Sequence, residues 1–104
     1  MARPPIHRVT EQELRALFNA VVLPRIEAGD VLEAVQTEHP ANPNFGQPSG
    51  TLSQIVAYWE VKNGKIGAKL AIAHRYLRPD GSLGGSGLPD PKNVFDEGKL
   101  FVAK

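Results

Sequence analysis

The chain has no cysteine, a single tryptophan, a single methionine and almost no imbalance of charge. Without cysteine, disulfides, thiolate catalysis, cysteine-held iron–sulfur clusters and cysteine-based zinc sites are all excluded, and a reducing, cytoplasmic setting is the expectation. Long apolar runs are missing too. The longest, Ile55 to Trp59, is five residues, against the roughly 20 that a membrane-spanning helix requires. The opening Met1-Ala2-Arg3-Pro4-Pro5 leads into no apolar segment of the secretory kind, so no membrane association is expected.

Lys and Arg number 12 against 11 Asp and Glu, a net charge of +1. Residues 1–52 carry four basic and six acidic side chains, residues 53–104 eight and five. A surplus this small is not the dense footprint of a nucleic-acid binder. Nucleic acid is therefore not the expected partner, and binding through Lys62, Lys65, Lys69 and Arg75 ranks as a third reading. A chain of 104 residues forms one core, which excludes a two-domain enzyme with a deep interdomain cleft.

What the chain does have is patterned. Leu14, Leu17, Phe18, Val21, Val22 and Ile26 recur at helical spacing, and Thr10 with Glu13 forms a capping box ahead of them. Pro24 ends this helix near Leu23 or kinks it through to about Ala28, before Gly29. The preceding residues 1–9 read as a flexible arm of a single domain spanning 1–104. Asp30 and Glu33 repeat the cap spacing and predict a short second helix over 31–38, although a strand is not excluded there. Residues 39–51, with Pro40, Pro43, Gly46, Pro48 and Gly50, read as a long irregular loop.

Two β-rich runs flank Asn63-Gly64, a pair suited to the positive φ angles of a two-residue hairpin turn. That turn pairs Val61 with Ile66, Trp59 with Ala68, Ala57 with Leu70, Ile55 with Ile72 and Ser53 with His74, and makes the side carrying Ile55, Trp59 and Ile72 the inner one. Arg78-Pro79-Asp80-Gly81 is a second turn, with a short third strand at Ser82 and Leu83. Asp90-Pro91 predicts a brief helix through Phe95, closed by Gly98, and Leu100 to Val102 an edge strand. The expected fold is α+β in two layers, the N-terminal helix packed on a three- to five-stranded antiparallel sheet.

Continuing the hairpin's alternation past Ile72 brings His74, Tyr76 and Arg78 to one side, with Ser53 opposite His74. An imidazole, a phenol and a guanidinium at the mouth of an apolar layer suit a small anionic or polar ligand. The competing structural reading gives His74 a hydrogen bond at the core edge, makes Tyr76 a lid on the core and pairs Arg78 with Asp80. Neither cofactor nor metal is expected, because His7, His39 and His74 stand 32 and 35 positions apart with no ligand motif between them. The glycine-rich segment 81–87 lacks the spacing of phosphate loops. None of Ser49, Ser53, Ser82 and Ser86 sits in a nucleophile elbow.

The segment 74–92, His-Arg-Tyr-Leu-Arg-Pro-Asp-Gly-Ser-Leu-Gly-Gly-Ser-Gly-Leu-Pro-Asp-Pro-Lys, resembles a stretch of short uncharacterised bacterial proteins of the phage or mobile gene cassette type. The resemblance covers about a fifth of the chain, reaching back loosely to Ser53-Gln54-Ile55-Val56, and implies a small accessory protein with no assigned activity. The leading functional expectation is a non-enzymatic binding protein that recognises an anionic or polar ligand or a protein partner, including a second copy of itself through a sheet edge or face. The alternative is a cofactor-independent enzyme with His74 as general base and Arg78 as anion clamp.

Overall fold

A computed structural model describes residues 4–42, 44, 46–85 and 87–104. It is an α+β structure in which one bent helix lies across a six-stranded mixed sheet. The strands are β1 (Ile6–Val9), β2 (Val31–Pro40), β3 (Leu52–Lys62), β4 (Lys65–Leu77), β5 (Asp90–Asp96) and β6 (Lys99–Ala103). They lie in the order β1-β6-β5-β4-β3-β2. The sheet is thus larger than expected, and it is not purely antiparallel, because β1 runs parallel to β6. β2 through β6 form an antiparallel meander.

The helix starts as its sequence dictates. The Thr10 hydroxyl accepts from the Glu13 amide at 3.1 Å, and the Glu13 carboxylate accepts from the Thr10 amide at 3.2 Å. The Thr10 amide foremost, and then its hydroxyl, hold the Glu13 carboxyl below the usual carboxylate range. α1 runs over Glu11–Val21 and α2 over Leu23–Ala28, the break falling at Pro24. Gly29, in the left-handed region at φ 77°, ends the pair. Between β1 and β2 this bent helix carries the chain from one sheet edge to the other.

Three elements differ from expectation. Residues 31–38 are strand, not helix: the cap signal of Asp30 and Glu33 gives way because Val31 through Pro40 pairs along nearly the whole of β3, and tertiary pairing outweighs a local propensity. Residues 90–95 are likewise strand. Pro91 has no amide to give, and β5 bulges at Lys92, opposite the step from Ile72 to Ala73; the Ile72 amide donates to Asn93 Oδ1 at 3.0 Å, which repairs the ladder. Gly98 closes no helix but forms, with Glu97, the β5–β6 turn, both residues at positive φ. β6 itself is interior, since β1 lies outside it. Residues 6–9, read from sequence as part of the arm, form that edge strand; Met1, Ala2 and Arg3 lie outside the described residues. So do Pro43 and Phe45 in the 39–51 loop, and Ser86.

The Asn63-Gly64 turn is as expected, with φ 52° and 74° and Val61 opposite Ile66. Beyond it the register departs. Bulges on either side of Trp59 slide β4 along β3, so Ala57 faces Ile72, Ile55 faces His74 and Ser53 faces Tyr76. The helices also cover the other side of the sheet. Leu14, Phe18 and Val22 pack on Val56, Tyr58, Ala71, Ala73 and Val94, and Phe18 meets Tyr58 edge to face at 5.8 Å. Tyr58, not Trp59, is the aromatic centre of this core. Its hydroxyl is fully buried beside Arg75 without a well-formed hydrogen bond. Desolvation pushes its pKa up to about 12, Glu33 adding to the rise.

Candidate functional site

β4 outruns β5. Their pairing ends at His74, opposite Asp90, and the chain before Asp90 returns past the end of β4 as a turn and a glycine loop. The Gly81 amide donates to Arg78 O at 2.9 Å with Gly81 at φ 88°, the turn anticipated from Pro79-Asp80-Gly81. Asp80 accepts from both the amide and the hydroxyl of Ser82, and those bonds, the hydroxyl's foremost, lower its pKa. The third strand reduces to a single bridge between Leu83 and Leu77. The Gly84 amide then donates to Tyr76 O at 2.8 Å. A notch of about 330 Å³ opens between β4, this loop and α1, lined by Arg15, His74, Arg75, Tyr76, Gly84, Gly85, Leu88 and Asp90.

The sequence-predicted residues divide. His74 and Tyr76 line the notch together, their rings edge to face at 4.7 Å. Ser53 stays in contact with His74 although it now pairs with Tyr76: its Oγ is 2.7 Å from Nε2 on the diagonal. Burial lowers the His74 pKa, helped by Lys92 and His39 and opposed by Asp90, so the ring is neutral at pH 7 and Nε2 can accept the Ser53 proton. Arg78 is not part of the notch. Its Nε donates to Gln47 Oε1 at 3.3 Å, which ties the turn to the 39–51 loop, and it pairs neither with Asp80 nor with a ligand space shared with His74.

Two other arginines line the notch, Arg15 and Arg75. Arg15, on the exposed flank of α1, donates to Asp90 Oδ1 at 2.9 Å and to Pro89 O at 3.3 Å. Arg75 donates to Gln54 Oε1 at 2.8 Å and to Glu33 Oε2 at 2.9 Å. Each is oriented by a carboxylate and keeps further N–H donors. The sequence reading missed Arg15 because nothing local relates α1 to residue 90. Alternation did carry a signal for Arg75, which falls on the same side as Ala71 and Ala73.

A serine–histidine–aspartate relay is not assembled at Ser53 and His74. Ser53 is buried at 7% exposure and its only polar side-chain contact described is His74; Asp90, which a hydrolytic triad would aim at that ring, is bound to Arg15 and lies 3.4 Å from Lys92. Among the described residues no cluster of three or more His, Asp or Glu is disposed to hold a metal ion, and no helix is long and apolar enough to cross a membrane. Of the basic residues weighed for nucleic acid, Lys62 faces Lys65 across the hairpin end and pairs with Glu60, Lys69 lies over the Trp59 ring at 5.2 Å, and Arg75 is held by Glu33. Comparison with family models, with curated proteins and with solved structures found no match.

Proposed function

We propose that the protein is a non-enzymatic binding protein whose notch takes a small ligand bearing a carboxylate or similar oxyanion. One observation carries this reading: the Arg15 guanidinium, held by Asp90, comes from the helix layer to the same 330 Å³ space that His74, Arg75 and Tyr76 line from β4. Pre-oriented guanidinium groups recognise carboxylates with little further loss of side-chain freedom. The aromatic edges supply an apolar wall, and Gly85, with open space where a Cβ would stand, lets a ligand approach the backbone closely. Asp90 sets the polarity, since it would repel a second negative charge and favours a ligand with a donor beside its acid group.

Titration of the protein with acetate and with glycine, followed by amide chemical shifts, tests this. Shifts confined to residues around Arg15, Arg75, Tyr76 and Gly84, tighter for glycine than for acetate and abolished by Arg15→Ala, support it. An absence of localised shifts up to about 10 mM, a concentration that would detect even millimolar affinity, removes it.

A further inference from the structure

The helices occupy one face of the sheet, and the other face is not built for water. Side chains alternate along each strand. Since Val56, Tyr58, Ala71, Ala73, Val94 and Phe101 belong to the helix-side core, the opposite face carries Ile55, Trp59, Ile72, Phe95, Leu100 and Val102, with Leu32 beside them at 42% exposure. Ala57 lies at the centre of this face, opposite Ile72; it is wholly buried yet no member of the helix-side core. An antiparallel sheet with one solvated face ordinarily puts polar residues there. Here Glu33 and Glu60 fall on the other side, where Glu33 meets Arg75 and Glu60 faces Arg25; Asp90, opposite His74 at the very end of β5, is held by Arg15. The Asn93 amide oxygen serves the Ile72 backbone, and Lys69 lies along the Trp59 ring.

The dimensions of the chain agree. Its accessible surface is 6631 Å², whereas a folded monomer of 11.3 kDa exposes about 5,700 Å². The surplus, about 900 Å², is close to the roughly 800 Å² that each partner buries in a standard interface. The radius of gyration, 14.3 Å, exceeds the roughly 13 Å of a compact chain of this length, and the extents of 43 × 34 × 24 Å are those of a slab.

We infer that two copies of this chain pack face to face through the uncovered side of the sheet, with Ile55, Trp59, Ile72, Phe95 and Val102 at the centre of the contact. A twisted apolar sheet is complemented by another of the same twist, stacked about 10 Å away. A second copy supplies one through an isologous two-fold contact, the commonest oligomer symmetry, and with no carboxylate among Ile55, Ala57, Trp59, Ile72, Phe95 and Val102 the centre of the face is free of like-charge repulsion. The assembly is a four-layer sandwich, helix-sheet-sheet-helix. The proposal does not depend on a ligand in the notch, which Arg15 enters from the helix side and whose His74 and Tyr76 continue the Ile72 side of β4 beyond the centre of the contact.

Light scattering and sedimentation of the full chain across a dilution series test the proposal, read together with the fluorescence of Trp59, the only tryptophan. A mass of twice the chain is expected, falling to one chain on dilution, with Trp59 emission shifting to the red over the same concentrations. Ile72→Glu weakens the dimer at least about 30-fold, as loss of a central anchor does, while circular dichroism and the melting transition show a folded monomer. Should that variant not fold, Val102→Lys carries the same expectation. Ile66→Glu, near the hairpin tip and 61% exposed, leaves the dimer intact. A monomer at every concentration overturns the proposal, as does a dimer that survives Ile72→Glu or Val102→Lys in folded protein, or a monomer whose Trp59 emission moves only when lipid vesicles are added.

Discussion

Ser53 and His74 meet on a diagonal. They are not paired across the hairpin, yet Oγ and Nε2 stand 2.7 Å apart, because the bulges around Trp59 have advanced β4 and left Ser53 opposite Tyr76. A shift by two positions preserves which side each residue occupies, so the contact expected from sequence survives through a different pairing. Since burial lowers the His74 pKa in the folded protein, the unfolded chain binds a proton first as pH falls. This contribution to stability is full above the unfolded value of about 6.5 and declines as pH drops through that value toward the folded one. The melting temperature is expected to fall from pH 7 to pH 5, and to fall less in His74→Gln. Equal slopes for the two proteins would show that His74 is not linked to folding.

Tyr58→Phe removes a hydroxyl that is buried without a well-formed partner. Because an unsatisfied group costs free energy in the folded state, the expected change is between none and about 1 kcal/mol of added stability. Tyr58→Ala, which also deletes the ring packed on Phe18, costs about 3–5 kcal/mol. Urea unfolding separates the two; a loss above about 1 kcal/mol in Tyr58→Phe would mean that the hydroxyl is bonded to Arg75 after all.

Asn93→Ala leaves the Ile72 amide, opposite the β5 bulge, without its acceptor. A cost of about 1–3 kcal/mol is expected, together with faster hydrogen exchange at Ile72 than at the neighbouring β3–β4 amides. Unchanged exchange at Ile72 would indicate that water or a shifted backbone takes over.

Local chemistry makes a fourth prediction, at the helix cap and the hairpin turn. Thr10→Ala removes half the capping box and costs about 1 kcal/mol. Asn63→Val places a β-branched residue at φ 52° and costs about 1–3 kcal/mol, while Asn63→Gly is nearly neutral. A stable Asn63→Val protein would mean the hairpin turn is not as described.

Features set by neighbours in the chain were legible in the sequence: the Thr10–Glu13 cap, the break at Pro24, the Asn63-Gly64 turn and the Asp80-Gly81 turn all rest on contacts within a few residues. What escaped depends on distant partners. Asp30 and Glu33 look like a helix start until β3 offers Val31 through Pro40 a complete ladder, and Asp90-Pro91 does the same until β4 presents its edge. The choice of covered face escaped for a related reason. Both sides of the β3–β4 hairpin are apolar near its centre, Ile55, Trp59 and Ile72 on one and Val56, Tyr58 and Ala71 on the other, and periodicity alone does not say which of two such sides a helix takes. The notch shows the same division: His74, Tyr76 and their contact with Ser53 follow from strand alternation, whereas Arg15 arrives from another layer.

The parallel pairing of β1 with β6, fastened where Leu100 N donates to Pro5 O and Lys104 N to Val9 O, bears on the order in which the chain assembles. The meander from β2 to β6 zips up through successive near-neighbour contacts, but the first strand must find a mate about ninety positions downstream, a costly closure that earns its ladder only after the rest is in place. The N-terminal strand therefore behaves as a clasp, the last piece to dock and the first to loosen, and its amides set the floor of protection against solvent exchange while those of the central hairpin set the ceiling.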